Sequence, residues 1–429
     1  MVCTVGPMSR RVAPHVPVLV VLAIAVAFPR SLVAEPAAIV PIEVEDSTGR
    51  ALERFFAALR RTASKQPGAI TRIAHYGDSL IVGDGITRSA RRRFQARYGD
   101  AGPGFVLAGR PWDWYRREGV RLGGSTGWDT YRSLSGGPAD RFFGFGGSTF
   151  VTRREHQRVW FETTEIEGRR VKASSIEVHY LAHPRGGDLD VLVDGDHVLT
   201  IATKRDETVS AFHTVRVPEG PHKVVLRTVG NGQVRLFGVV LERDGPGIVY
   251  DSLGINGAST DVLGRMDPVH MEQQLGHRRP DLVIVGFGAN ESNRPGLVDR
   301  YREEVLPVLR RLRHGSRDAS CLVVGPIDRG VRDDRRGVRS HPIVMRISRA
   351  QREVSRDAGC GFYDTFAVMG GEGAAQRWHA RGLTGGDLVH PTPEGSDLLG
   401  QVLFEALERA FTRYRATSID HAPARRGGQ

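Results

Sequence analysis

Apolar and polar positions along this chain follow two different periods, and the change of period divides it. Ala51 to Ala63 carries Phe55, Phe56 and Leu59 on one side at helical spacing, which predicts an amphipathic helix. Ile73-Ala-His-Tyr76 then climbs as a strand into Gly77-Asp78-Ser79, and the spacing from Ile81 to Arg93 turns helical again. From about Pro138 to Asp244 the helical period disappears. Alternating runs replace it: Ser175 to Leu181, Leu189 to Val193, His197 to Ile201, His222 to Arg227 and Val234 to Leu241, with Asp194-Gly195 as a hairpin turn between two of them. Short strands broken by Gly and Pro predict a β-sandwich. After Gly247 the first rhythm resumes, with strands at Ile248–Leu253, Asp281–Val285, Cys321–Val324 and Gly361–Tyr363. Helices at Asp261–Leu275, Val298–Arg313, Val344–Asp357 and Ser396–Phe411 alternate with them. Such alternation predicts an α/β fold whose parallel sheet is covered on both faces. The expected division is an α/β domain in two parts, 45–137 and 246–415. A β-sandwich at 138–245 interrupts it, and a disordered polar tail follows at 416–429.

At 429 residues and 40% hydrophobic content, the chain has length enough for two cores. Its 60 Lys and Arg against 49 Asp and Glu give a formal charge of +11, which suits an anionic polymer as partner. The basic residues are dispersed, however, and no zinc-finger, helix-turn-helix or aromatic RNA-binding signature accompanies them, so nucleic acid is not expected. Arg10 and Arg11 precede an apolar run from Val18 to Phe28, and Ser31-Leu32-Val33-Ala34 ends in a small residue. This is the pattern of a secretory signal over 1–34, giving a periplasmic or secreted product. Leu32 and Arg30 depart from the usual cleavage boundary, and an uncleaved segment would leave the protein on the membrane. Of three cysteines, Cys321 and Cys360 lie near the amino ends of consecutive strands, where they are either one disulfide or two buried thiols. No Cys or His spacing matches a metal site, and no metal or other cofactor is expected.

Candidate chemistry falls on the loops that follow the strands. Ser79 stands at the end of the first. Gly254-Ile-Asn-Gly257-Ala-Ser-Thr follows the second, and at Gly257 the missing side chain lets a backbone N–H approach a ligand closely. Gly286-Phe-Gly-Ala-Asn290 follows the third, offering a side-chain amide. Gly386-Asp387-Leu-Val-His390-Pro391 comes just before the last helix. Each block alone is common in proteins; their order, each at the mouth of a helix, is what carries weight. Trp112, Trp114, Tyr115 and Trp128 crowd the stretch after Gly104, where they fill a core or loop more often than they stack on sugar.

With those four blocks the chain resembles the SGNH, or GDSL, hydrolases, whose Ser, Gly, Asn and His match Ser79, Gly257, Asn290 and His390. The resemblance implies a flavodoxin-like three-layer α/β/α fold. It is narrower toward bacterial peptidoglycan O-acetylesterases, which are similar in the turn Tyr98-Gly-Asp-Ala-Gly-Pro-Gly-Phe105, in a Gly-x-Asn-Gly-Ala second block and in an inserted carbohydrate-binding-module-like β-sandwich. The third block departs, reading Gly-Phe-Gly-Ala-Asn290 rather than ending in Gly-Thr-Asn.

The roles follow from the chemistry. Ser79 attacks an ester carbonyl, His390 moves its proton, and Asp387 holds the imidazole. The N–H groups of Ser79 and Gly257 and the Asn290 amide receive the oxyanion. Asp78 braces the loop and His75 is a packed histidine. The expected function is an exported serine esterase that removes O-acetyl groups from an acetylated glycan. A polysaccharide O-acetyltransferase with the same acyl-serine, or a glycan-binding protein without activity, is the alternative. The sequence leaves the oligomeric state open.

Overall fold

The computed structural model describes residues 39–316, 319–334 and 337–420. The expected signal segment lies outside them. At the centre is a five-stranded parallel sheet, its strands numbered here in chain order: β1 (Ile70–Gly77), β2 (Gly247–Gly254), β3 (Leu282–Gly286), β4 (Ser320–Val324) and β5 (Gly361–Tyr363). They lie side by side as 2-1-3-4-5, the flavodoxin-like order. Successive side chains on a strand point to opposite faces, so neighbours part company. Ile73, Ile248, Leu282 and Leu322 pack under the helices Glu53–Ala63, Gly85–Tyr98 and Pro393–Asp420. Ala74, Leu253, Val283 and Val323 face the opposite way, toward the helices Pro268–Arg278, Tyr301–Gly315 and Val344–Ala358 and the sandwich. Almost every position on these strands is buried, as a sheet covered on both faces requires. A disulfide joins Cys321 to Cys360 and so ties the start of β4 to the start of β5, resolving the choice that the cysteine spacing left open.

The sandwich consists of two antiparallel sheets. One runs in the order Asp196–Ala202, Asp188–Val193, Lys223–Thr228, Arg158–Thr163 and Val120–Gly124. The other is Val209–Gly220, Ala173–Ala182, Val234–Glu242, Ser148–Thr152 and Asp129–Arg132, with Gly104–Leu107 also paired to Val234–Glu242. Three of these strands, Gly104–Leu107, Val120–Gly124 and Asp129–Arg132, lie before residue 138, so the sandwich begins near Gly104 and the expected boundary is too late. Each is only four or five residues long, with too few apolar positions to show alternation, and its partner is far away in sequence. The sandwich core is continuous with the lower layer of the α/β part: Val178, Leu226 and Leu236 share a cluster with Val285, Met271 and Leu309.

Helix ends differ from the periodicity in physically legible ways. The stretch expected to be helical over 261–275 is a 3-10 turn, Thr260–Arg265, followed by the helix Pro268–Arg278, because Pro268 takes the first helical position and Asp267 caps it by accepting from the His270 N–H. The stretch after Ser79 divides at Gly83-Asp84, with Asp84 in the left-handed region at φ 59°. The last helix runs to Asp420 rather than ending at Phe411 before a disordered tail from 416. Tyr414 packs on Phe56 at 5.5 Å between ring centroids, and no Gly or Pro after Gly400 interrupts the turn. Among the described residues no helix is long and apolar enough to cross a membrane.

Candidate active site

The strand register sets the site. Gly77 stands opposite Gly254 on one side and Gly286 on the other, so β1, β2 and β3 end level with one another. The three loops leaving them therefore open at one edge of the sheet, where open α/β sheets bind ligands. Gly77 and Gly254 are there for space. A Cβ on Gly254 would fall 2.3 Å from the Val82 nitrogen, and one on Gly77 would fall 2.4 Å from Ile81. The short helix Ser79–Val82 lies directly on these two glycines.

Ser79 is the first residue of that helix. Asp78 caps it from an extended conformation, its Oδ1 accepting from the Leu80 N–H at 3.0 Å. The Ser79 N–H belongs to the first turn, where a helix supplies no acceptor of its own, so it points outward as a donor. The Ser79 hydroxyl is 2.8 Å from His390 Nε2, and His390 Nδ1 is 2.6 Å from Asp387 Oδ2. Asp387 is positioned by its own loop. Its Oδ1 accepts from the Val389 and His390 N–H groups, both at 3.0 Å, which leaves Oδ2 for the imidazole. Burial raises the affinity of this carboxyl for a proton, but the hydrogen bonds from the His390 side chain and backbone and from Val389 outweigh it, and Asp387 stays ionised below its ordinary range. Leu388, between the two, is held in the left-handed region at φ 61°, strained for a bulky side chain. The Gly330 N–H donates to its carbonyl at 2.7 Å, so the hairpin Gly330–Asp333/Gly337–Ser340 clamps the loop.

The other two sequence-identified residues come to the same edge. Gly257 is exposed at φ 76°, a conformation that suits glycine, and Leu134 of the sandwich sits over it, 3.3 Å from where a Cβ would be. Asn290 donates one Nδ2 hydrogen to the Ala258 carbonyl at 2.9 Å, and its second N–H remains for a ligand. His75 is a packed histidine: it is buried with Nδ1 2.8 Å from the Tyr250 hydroxyl, and burial pushes its pKa down to about 3.

Two buried carboxylates near the site, Glu291 and Asp84, are not singled out by the sequence. Glu291 accepts from both the N–H and the hydroxyl of Thr260, each at 2.9 Å, and so staples the Asn290 loop to the Gly257 loop. Its other oxygen has no partner among the described residues. Burial, reinforced by the charge of Asp78, pushes Glu291 up to about 7, although the Thr260 N–H works against the shift. Asp78 rises to about 6 by burial, opposed by the backbone N–H groups of Leu80 and Ala289. Asp84 follows the nucleophile helix and is gripped by Arg91 at 2.9 and 2.8 Å and by Arg117 at 3.2 Å. These guanidiniums outweigh its burial and keep it ionised. The only local sign of Glu291 is its place directly after Asn290; the partners that bury it come from distant segments.

What the arrangement can do is acyl transfer through Ser79. A hydroxyl, a base within hydrogen-bond reach and an oriented carboxylate stand in line, with three donors on neighbouring loops.

The GDSL-like lipase/acylhydrolase family model matches residues 219–398, a stretch that contains Gly257, Asn290, Asp387 and His390 and begins after Ser79. Among solved structures, one of a peptidoglycan O-acetylesterase is similar over 86% of this chain and 99% of its own, at 22% identity and a TM-score of 0.73. Such coverage cannot be reached without much of the sandwich. A salicylyl-acyltransferase from a tetracycline biosynthetic pathway is matched over 72% of this chain and 100% of its own, at 15% identity and a TM-score of 0.29. For a family two carbohydrate esterase from Cellvibrio japonicus the figures are 72%, 98%, 13% and 0.27. These last two are too loose to bear weight. No curated protein matches the sequence. In its sheet order and its four loops the chain is similar to the SGNH hydrolases, residues 219–398 match the GDSL-like lipase/acylhydrolase family model, and the fold resembles that of a peptidoglycan O-acetylesterase.

Proposed function

We propose that this protein is an exported carbohydrate esterase that removes O-acetyl groups from cell-wall glycan, with peptidoglycan as the polymer. The observation that carries the reading is the continuous hydrogen-bonded line Ser79–His390–Asp387 at 2.8 and 2.6 Å. It stands beside a sandwich whose Leu134 borders the Gly257 loop. Ser79 Oγ attacks the acetyl carbonyl as its proton passes to His390 Nε2. Negative charge on the carbonyl oxygen is met by the N–H groups of Ser79 and Gly257 and by the Asn290 amide, donors worth about 3 kcal/mol each. Collapse of the tetrahedral intermediate expels the sugar oxygen, which takes the proton from His390, and acetyl-Ser79 remains. A water, deprotonated by His390, then releases acetate. Asp387 keeps the imidazole proton on Nδ1 and stabilises the imidazolium without itself becoming protonated.

His390 and Asp387 are exposed, so water reaches the acyl-serine freely, which favours hydrolysis over transfer to a second sugar hydroxyl. The similarity in fold to a peptidoglycan O-acetylesterase supports the choice of polymer, and the apolar Val18–Phe28 run supports export. Acetate release from O-acetylated peptidoglycan and from acetylated xylan, by wild type and by Ser79→Ala, tests the reading. Ser79-dependent release from peptidoglycan is expected. Release from xylan alone would move the substrate to plant polysaccharide. Cleavage of small acetyl esters without release from either polymer would indicate another acceptor.

A further inference from the structure

Far from the triad in sequence, three side chains converge where the sandwich meets the helix Pro268–Arg278. Glu177 and His179 are two residues apart on the strand Ala173–Ala182, so they project from the same face. His277 comes from the last turn of the helix. His179 Nε2 lies 2.8 Å from Glu177 Oε1, and His277 Nε2 lies 3.0 Å from Glu177 Oε2. All three donor atoms fall within 4.8 Å of one another.

The surroundings hold this geometry. The His277 ring stacks on Phe212 with centroids 3.5 Å apart and planes 1° from parallel, while His179 meets the same Phe212 edge-on at 4.8 Å. Thr214, opposite Glu177 on the neighbouring strand, donates to Oε2 at 3.0 Å. The nearby Arg278 guanidinium is engaged by Asp251 and Glu242, so Glu177 keeps its charge for the two imidazoles. His179 is fully buried, its Nε2 faces Glu177, and its Nδ1 has no hydrogen-bond partner among the described residues. His277 is partly exposed, which opens a path from solvent.

We propose that Glu177, His179 and His277 bind one divalent transition-metal cation of the zinc class. The two Nε2 atoms and a Glu177 oxygen serve as ligands, with water in the fourth position. Nitrogen and carboxylate donors suit such an ion, and bonds of about 2.0–2.2 Å in a tetrahedron need donor separations of roughly 3.3 Å; the two His–Glu separations are 2.8 and 3.0 Å, and all three donors lie within 4.8 Å. Each imidazole binds as the neutral Nδ1–H tautomer with its Nε2 lone pair on the cation, which fastens the sandwich to the α/β part. The sequence did not reveal it, because two ligands alternate on a strand and the third lies on a helix about a hundred residues away.

The test uses the full chain, stripped with a chelator and dialysed. Zn²⁺ is titrated by calorimetry and Co²⁺ by visible absorption, with circular dichroism checking that each variant is folded. Wild type is expected to bind one equivalent, with the strong Co²⁺ bands of a four-coordinate site. The His277→Ala variant is expected to lose that equivalent. Thr214→Val, which removes a hydrogen bond to a ligand, is expected to weaken binding by roughly 10–100-fold. Absence of saturable binding in wild type at millimolar Zn²⁺, or equal binding by wild type and folded His277→Ala, would overturn the proposal.

Discussion

Replacing Glu291 by Gln tests the electrostatics beneath the active site. Glu291 is fully buried, accepts two hydrogen bonds from Thr260 and leaves one oxygen without a partner among the described residues. Burial is the main reason that its pKa stands at about 7 instead of 4.5. The folded protein therefore holds this proton over a range in which the unfolded chain releases it. The stability that goes with the raised pKa is fully present below about 4.5 and is lost as pH rises through about 7. At about 1.4 kcal/mol per pH unit, the span is worth roughly 3 kcal/mol. Glutamine imitates the protonated acid and cannot ionise. Its extra amide hydrogens add an offset that does not vary with pH, and Asp78 titrates in both proteins. In urea denaturation at pH 5, 6, 7 and 8, Glu291→Gln is expected to gain on wild type progressively, by about 2.5 kcal/mol across the series. A difference that stays flat with pH would refute the assignment of a raised pKa to Glu291.

Other consequences are more direct. Ser79→Ala should lower kcat on an acetyl ester by roughly 10⁴–10⁶-fold with little change in KM, and Asp387→Asn by roughly 10²–10⁴-fold, both read by steady-state kinetics. Asn290→Ala should cost roughly 10²–10³-fold in kcat, as expected of an oxyanion donor; a change confined to KM would place the amide outside the oxyanion hole. Gly254→Ala should displace the Ser79–Val82 helix, since the added Cβ would lie 2.3 Å from the Val82 nitrogen, and activity should fall more than thermal stability. Breaking the Cys321–Cys360 bond with Cys360→Ser frees a loop spanning 39 positions and should cost about 4 kcal/mol on the chain-entropy model, measured by denaturant unfolding.

What could be read in advance was local. A parallel strand buried on both faces shows as an apolar run, and Asp281 to Val285 displays that pattern without reference to any partner. The nucleophile loop was legible because a strand must end before its serine can be presented, and Gly77-Asp78-Ser79 records that ending. Asp387 and His390 were legible because three positions in one turn suffice to bring a carboxylate to an imidazole. Strands of four or five residues, such as Asp129–Arg132, carried no comparable signal, since their stability comes from distant partners such as Ser148–Thr152.

The alternation of strands and helices, the change of period that marks the sandwich and the four residues at the loop mouths are thus written into the order of residues along the chain. The folded protein was needed to show where the sandwich begins, that Cys321 meets Cys360, and that Glu291 and Asp78 share a buried floor beneath Ser79. It alone placed His277 against Glu177. The physical reason is the range of the forces involved. Periodicity, capping and turn chemistry act over a few residues and leave their mark in order along the chain. Desolvation, strand pairing and the convergence of ligands depend on groups that meet only after the chain has folded.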